Sequence, residues 1–351
     1  MSRVRNTQEK PSHPWISSPH PDYLGSTWQA RTIFLTTDDG GAPAGRPDVA
    51  VIVHESDAAD LISTSHTAAL YLPGFQDTFF HTEQAAAWRS VGVPLVGLDF
   101  RRGGRALRLE ASRDDIRDLG VREEEISTAL GYLRNLGARR IILIGHSTGG
   151  LQAALWASHH PGSIDALILN SPWLDQGGSQ FVRTVLTKTL DHIGKYAPRL
   201  KIARLLPSYA RSLHRDFGGE FYFNPVHKVL YPAPVYAGFF RTVRHAHAEI
   251  ARANVRISCP VLVAHSSHSG NFRHPSSDEL ASSDVVLNVE DMKRLAPLLS
   301  ENVELLEIPH GRHDLALSRK PSREIYTRET VTWAMRHIRE CEKLRENPEI
   351  S

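Results

Sequence analysis

Short apolar runs recur along this chain, separated by longer stretches in which apolar residues return every three or four positions. Residues 31–36 and 49–54 read as strands. Asp38-Asp39-Gly40-Gly41 between them is turn chemistry, so the two predict an antiparallel pair at one sheet edge. Residues 68–72 predict a third strand, ending in Pro73-Gly74-Phe75-Gln76-Asp77, with a helix over 84–91. Residues 94–100 predict a fourth strand, followed by the loop Arg101-Arg102-Gly103-Gly104-Arg105. A helix over 122–136 places Ile126, Ala129, Leu130 and Leu133 on one face. The run Ile141-Ile142-Leu143-Ile144 reads as a buried parallel strand, and Leu151-Gln152-Ala153-Ala154-Leu155-Trp156-Ala157 as the helix after it. Residues 164–169, 261–265 and 303–308 predict further strands, with helices over 289–299 and from Pro321 or Ser322 to about residue 344.

Strands that alternate with helices need crossover connections. They predict an α/β fold: a mostly parallel central sheet, helices on both faces, and ligand sites at the strand carboxyl ends. The rhythm fails between residues 174 and 256, where no strand is convincing and a helical segment over 180–196 alternates with proline- and aromatic-rich pieces. That span is too long for a crossover and reads as an inserted, mainly helical cap. The expected organisation is a poorly ordered lead-in over 1–25, a core over 26–173 and 257–345, and a cap over 174–256.

The junction after residues 141–144 carries the chemistry. Gly145-His146-Ser147-Thr148-Gly149 is a G-x-S-x-G pattern set between a strand and a helix, the context of a nucleophile elbow. Side chains at Gly145 and Gly149 would collide with neighbouring backbone in such a turn, and the serine would sit in a strained conformation.

Composition narrows the reading without changing it. The chain has 351 residues, 41% hydrophobic and 23% charged, with 41 basic and 39 acidic side chains. A net charge of +2 calls for neither nucleic acid nor an acidic surface. The 19 histidines are scattered, with no metal-binding spacing. Cys259 and Cys341 read as thiols rather than a disulfide. The polar first 18 residues show no apolar signal core, and no apolar run reaches the roughly 18 residues of a membrane span, so the expected compartment is the cytoplasm.

A serine hydroxyl is a weak nucleophile without a base and a group that orients the base. In this setting the partners follow in the order serine, acid, histidine. The base should lie just past the last strand, in Pro309-His310-Gly311-Arg312-His313-Asp314. His313 fits, since Gly311 permits a tight turn that aims the ring over the sheet edge; His310 is its competitor. The acid should lie between Ser266 and Asn288. Asp284, followed by Val285-Val286-Leu287, is favoured over Asp278, which sits among Pro275-Ser276-Ser277 as a solvated turn residue. His265 and His268 line or support this loop. Oxyanion donors are expected at the backbone amides of Thr148 and Phe75, since Pro73 has no N–H. Phe221, Tyr222, Phe223, Tyr231, Tyr236, Phe239 and Phe240 would mostly build the cap's own core, some lining an apolar pocket. Arg101, Arg102 and Arg105 read as a solvated or salt-bridged loop rather than an anion site.

The segments Gly145-His146-Ser147-Thr148-Gly149-Gly150, Pro73-Gly74, Leu98-Asp99-Phe100 with the arginine–glycine loop, and Gly311-Arg312-His313-Asp314 together resemble the α/β-hydrolase superfamily. They look most like its monoacylglycerol-lipase or serine-aminopeptidase-like branch. The resemblance spans residues 30–175 and 258–340. It departs at Pro73-Gly74, where that branch usually has His-Gly, and at Arg101-Arg102-Gly103-Gly104, where it usually has Arg-Gly-His-Gly. The resemblance implies an α/β-hydrolase fold and no metal or organic cofactor. The expectation is a serine hydrolase acting on a lipid or small-molecule ester, without nucleic acid or an integral membrane segment. Acyl transfer, thioester or peptide cleavage by the same residues, and a catalytically silent binding protein, are the competing readings.

Overall fold

The computed structural model describes residues 14–41, 47–108, 111–176 and 191–346. The main sheet begins with β1 (Trp15–Ile16), β2 (His20–Asp22), β3 (Gly25–Phe34) and β4 (Val49–Glu55). Helix α1 (Ala58–Ser65) leads to β5 (Thr67–Leu72), α2 (Thr82–Ser90) and β6 (Leu95–Asp99). Next come α3 (Glu123–Asn135), β7 (Arg140–His146), α4 (Thr148–His159) and β8 (Ala166–Asn170). The inserted segment holds β9 (Lys201–Leu205), α5 (Ser208–Leu213), β10 (Ala233–Tyr236) and α6 (Ala237–Ala251). The chain then returns through β11 (Val261–Ser266), α7 (Ser277–Ser282), α8 (Val289–Leu295), β12 (Val303–Ile308) and α9 (Lys320–Glu346).

Strand order across the main sheet is β1-β3-β4-β6-β5-β7-β8-β11-β12, with β2 also paired to β3. From β6 to β12 every pairing is parallel, and the β3–β4 and β4–β6 pairings are antiparallel. The chain leaves β5 towards β6 and leaves β7 towards β8, so neighbouring strands send their loops in opposite directions. That divergence opens a crevice at the carboxyl ends of β5 and β7, where parallel sheets bind ligands.

Alternation along β7 sorts the core. Ile141 and Leu143 join one cluster with Ile126, Leu130 and Leu133 of α3 and Leu151 of α4. Ile142 and Ile144 face the opposite cluster, with Trp88 of α2 and Val331, Trp333 and Ile338 of α9. Burial on both faces explains why this strand shows no polar alternation.

Several expectations change here. Residues 1–25 were expected to be a poorly ordered lead-in, of which 1–13 lie outside the described residues and 14–25 do not conform. Instead β1 and β2 pair antiparallel with β3, and Trp15 stacks on Phe34 with ring centroids 4.0 Å apart. Pro14 and Pro19 flank short edge strands and Pro21 lies within one, where a missing N–H costs little. The inserted segment was expected to hold no strand. It contains the antiparallel β9–β10 pair, whose strands are short and lack alternating apolar residues. Helix α1 and the short α7 were not anticipated; α7 begins at a capping box between Ser276 and Glu279. The helix expected over 180–196 lies largely outside the described residues. Phe239, Val243, Ala246 and Ile250 of α6 join the main core cluster. Phe223 instead packs with Leu213, Leu230, Phe80 and Leu317, while Tyr222 and Tyr231 are exposed. Arg101 and Arg102 are buried and Arg105 is half-buried, and all three are paired: Arg101 with Glu125, Arg102 with Asp48 at 2.5 Å, Arg105 with Asp22 at 2.7 Å and Asp99 at 2.8 Å. The loop is salt-bridged rather than solvated.

Helix α4 crosses the end of β7 at a separation only glycine allows. A Cβ on Gly149 would overlap the carbonyl oxygens of Leu72 and Pro73, and one on Gly145 would lie 2.5 Å from the Gly149 carbonyl. Both obstacles are backbone, which cannot turn aside. Gly149→Ala is therefore expected to lower stability by about 2 kcal/mol or more, read as an earlier urea midpoint; an unchanged midpoint would contradict this packing.

Candidate active site

Ser147 occupies the turn between β7 and α4 with φ 54° and ψ −116°. A left-handed backbone at a residue with a side chain costs on the order of 1–3 kcal/mol and persists only where its surroundings hold it. Here both peptide groups of the serine are held. Its N–H donates to the Asn170 carbonyl (3.0 Å), and its own carbonyl accepts from Leu151 (3.1 Å) and Trp173 (3.0 Å).

His313 lies on the turn after β12. Ser266, at the end of β11, donates its hydroxyl to the Gly311 carbonyl at 2.7 Å. A Cβ on Gly311 would press on Leu315 at 2.6 Å and on the backbone of Ile308 and Ser266, so glycine sets this turn. Asp284 follows α7. Its N–H donates to the His268 carbonyl (3.1 Å), and its carbonyl accepts from Gly270 (2.9 Å).

These three residues meet. His313 Nδ1 donates to Asp284 Oδ2 at 2.9 Å, and His313 Nε2 accepts from the Ser147 hydroxyl at 3.0 Å. The other carboxylate oxygen of Asp284 accepts from the amides of Val286 (2.9 Å) and Leu287 (2.8 Å). All three residues are buried. The arrangement can take a proton from the serine hydroxyl and hold the resulting imidazolium against a fixed carboxylate. Of the competitors, His310 and Asp278 are both exposed, Asp278 in the first turn of α7. His268 supports the acid loop through its carbonyl, and His265 is buried with its ring bonded to the Ser266 carbonyl at 2.7 Å.

The loop after β5 approaches the serine closely. A Cβ on Gly74 would stand 3.2 Å from Ser147 Cβ. Among the described residues, neither the Phe75 nor the Thr148 amide donates to another protein group.

Behind the histidine lies a polar cluster that sequence reasoning missed. Asp314 Oδ2 accepts from His81 Nε2 (2.8 Å) and from the Tyr71 hydroxyl (3.4 Å), and Oδ1 accepts from Asn170 Nδ2 (2.8 Å) and the Ala316 amide (3.1 Å). Burial pushes the Asp314 carboxyl upward, but the His146 and His81 rings outweigh it and hold it well below the usual carboxylate range. The His146 ring lies 4.8 Å from the His313 ring, and burial pushes its pKa down to about 4. Tyr209 of α5 accepts from the Asp314 amide at 2.7 Å and meets the His313 ring edge-on at 5.8 Å. Asp77, His146 and Asp314 bring potential metal-ligand atoms within 4.8 Å of one another. That space already holds protein partners: Lys228 Nζ stands 2.5 Å from Asp77 Oδ2, and His81 occupies Asp314. Asp314 could have been found beside His313. Nothing local marks Lys228, Tyr209 or His81, which arrive from remote parts of the chain.

A mostly parallel sheet between helical layers, with a glycine-framed serine at one strand end and a histidine after the last strand, defines an α/β hydrolase. The chain belongs to the family described as serine aminopeptidase, S33, which matches it over residues 124–320, more than half its length. Ser147, Asp284 and His313 fall inside that match, and the Phe75 loop outside it. The monoacylglycerol lipase of Mycolicibacterium smegmatis is 24% identical over 258 residues, covering 72% of this chain and 82% of that protein. Among solved structures, a soluble variant of the Saccharomyces cerevisiae monoglyceride lipase aligns with a TM-score of 0.58 at 13% identity, covering 96% of this chain and all of that one. The Paleococcus ferrophilus monoacylglycerol lipase aligns with a TM-score of 0.54 at 16% identity, covering 77% of this chain and 94% of that one. Both share the fold. No helix among the described residues is long and apolar enough to cross a membrane.

The buried His146 yields a pH prediction. Its folded-state pKa near 4 lies below the 6.5 of an unperturbed histidine. The unfolded chain therefore binds this proton more readily, and the stabilisation is complete above pH 6.5 and lost as pH falls towards 4. Melting temperature is expected to fall over that window, and His146→Gln, which cannot take up the proton, to fall less steeply. Identical slopes in the two proteins would contradict the assignment.

Proposed function

We propose that this protein is a serine hydrolase that cleaves a carboxylic ester of a lipid or small molecule through an acyl-enzyme on Ser147. The observation that carries this reading is the unbroken hydrogen-bond path from the Ser147 hydroxyl through His313 to Asp284. The relationship to a monoacylglycerol lipase supports a monoacylglycerol as the first substrate to try. Residues 26–173 and 257–345 would form the catalytic core, and residues 174–256 the cap over it.

In this reading Ser147 Oγ attacks the ester carbonyl carbon as its proton passes to His313 Nε2. Asp284 keeps Nδ1 protonated and stabilises the imidazolium. The carbonyl oxygen, now anionic, is held by the Thr148 and Phe75 amides, whose freedom from other partners supports that role. Collapse of the tetrahedral intermediate breaks the bond to the alcohol, which leaves with the proton from His313. A water deprotonated by His313 then attacks the acyl-enzyme, and the acid departs as Ser147 recovers its proton. Gly145 and Gly149 admit the turn, and His146 packs against the base.

Turnover of monoacylglycerols and p-nitrophenyl esters tests the proposal. Ser147→Ala and His313→Ala should each lower kcat on the order of 10⁴-fold or more, and Asp284→Asn by a smaller but still large factor. His310→Gln and Asp278→Asn should stay within about twofold of wild type, since neither side chain lies in the path. Equal rates in wild type and Ser147→Ala would overturn the mechanism. The family description names an aminopeptidase, so aminoacyl anilides belong in the same panel; faster cleavage of anilides than of esters would overturn the ester assignment while leaving the triad intact.

A further inference from the structure

The loop that presents Phe75 is gripped from outside the sheet. Gln76 has φ 55°, a left-handed conformation that costs a residue with a side chain on the order of 1–3 kcal/mol. Its amide donates to Asp114 Oδ2 at 2.9 Å. Its side-chain Nε2 donates to the carbonyl of Pro234, in β10, at 3.0 Å. On one side of it, the Phe75 ring stacks on Phe239 of α6, with centroids 4.4 Å apart and 22° between planes. On the other, Asp77 pairs with Lys228 at 2.5 Å, both side chains more than nine-tenths buried.

Three consecutive residues of one turn thus bind three separate points on the inserted segment. Among the described residues, the core's hydrogen bond to the strained residue comes from Asp114. A conformation this costly, held this way and directly beside the serine, is what an over-determined functional turn looks like.

We infer that Gln76 is a positioning residue through which the cap sets the oxyanion site: the Pro234 carbonyl and the Asp77–Lys228 pair hold Gln76 left-handed, and so aim the Phe75 amide at the carbonyl oxygen of the bound ester. This rests on the serine-hydrolase reading above. It assigns the cap a part in the chemical step, beyond covering the substrate. With the cap unseated, Gln76 relaxes and the Phe75 donor swings out of line, so the enzyme is competent only when both parts are docked. A donor displaced by about an ångström costs up to roughly a hundredfold in rate.

The test compares wild type with Gln76→Ala, Lys228→Met and Lys228→Arg on a p-nitrophenyl ester. It also measures inhibition by a trifluoromethyl ketone, whose adduct with serine carries the tetrahedral oxyanion. Gln76→Ala is expected to lower kcat at least tenfold with KM within twofold, and to weaken ketone inhibition by the same factor. Lys228→Met should do likewise, and Lys228→Arg should recover most of the loss. Gln76→Ala strands no buried charge, so it decides the matter if Lys228→Met fails to fold. Wild-type kcat and ketone affinity in Gln76→Ala would overturn the inference, as would a lowered melting temperature and raised KM with ketone affinity intact. A wild-type protein that turns over no ester would overturn the hydrolase reading, and this inference with it.

Discussion

The left-handed backbone at Ser147 is the constraint on which the rest of the molecule depends. One residue must turn the chain from β7 into α4 within a single step, with a hydroxyl raised at the apex. The turn exists because Gly145 and Gly149 let α4 press against the strand ends, and because β8 and the segment after it take up both peptide groups of the serine. Strain of this size is small beside the burial energy of the two core layers, yet it needs every one of those neighbours in place. The same neighbours give the serine its direction: Asn170 accepts the serine amide through its carbonyl and donates its side-chain amide to Asp314.

Around the elbow, three buried carboxylates are each bonded to partners. Asp284 is satisfied by His313 and two amides, Asp314 by His81, Asn170 and an amide, and Asp77 by Lys228. Buried carboxylates are costly alone and specific when fully bonded. The consequence is a His313 ring confined by its bond to Asp284, by the neighbouring His146 and Tyr209 rings, and by the glycine turn that carries it. A confined imidazole has little freedom left to lose in the proton transfer proposed for it.

Much of the core was legible from residues alone. The apolar runs gave the parallel strands because strands buried on both faces leave no alternation to misread, and the G-x-S-x-G between strand and helix located the tight serine turn. Asp284 and His313 were legible because a known chain order limits the search to two loops. Edge strands β1 and β2 escaped notice because their short, proline-bearing sequences resemble loops and gain strand character only by pairing with β3. The β9–β10 pair escaped for the same reason: four or five residues without alternation carry no period.

What the linear order of residues determined by itself is therefore the scaffold and which serine, aspartate and histidine are candidates for the proposed triad, because hydrophobic period, glycine sterics and motif spacing are local properties. What only the tertiary structure decided is how those groups are held. Asp314 against His81, Tyr209 against His313, and Lys228 against Asp77 join positions far apart along the chain, and each contact arises from where helices and strands happen to pack rather than from any pattern a neighbouring residue could announce.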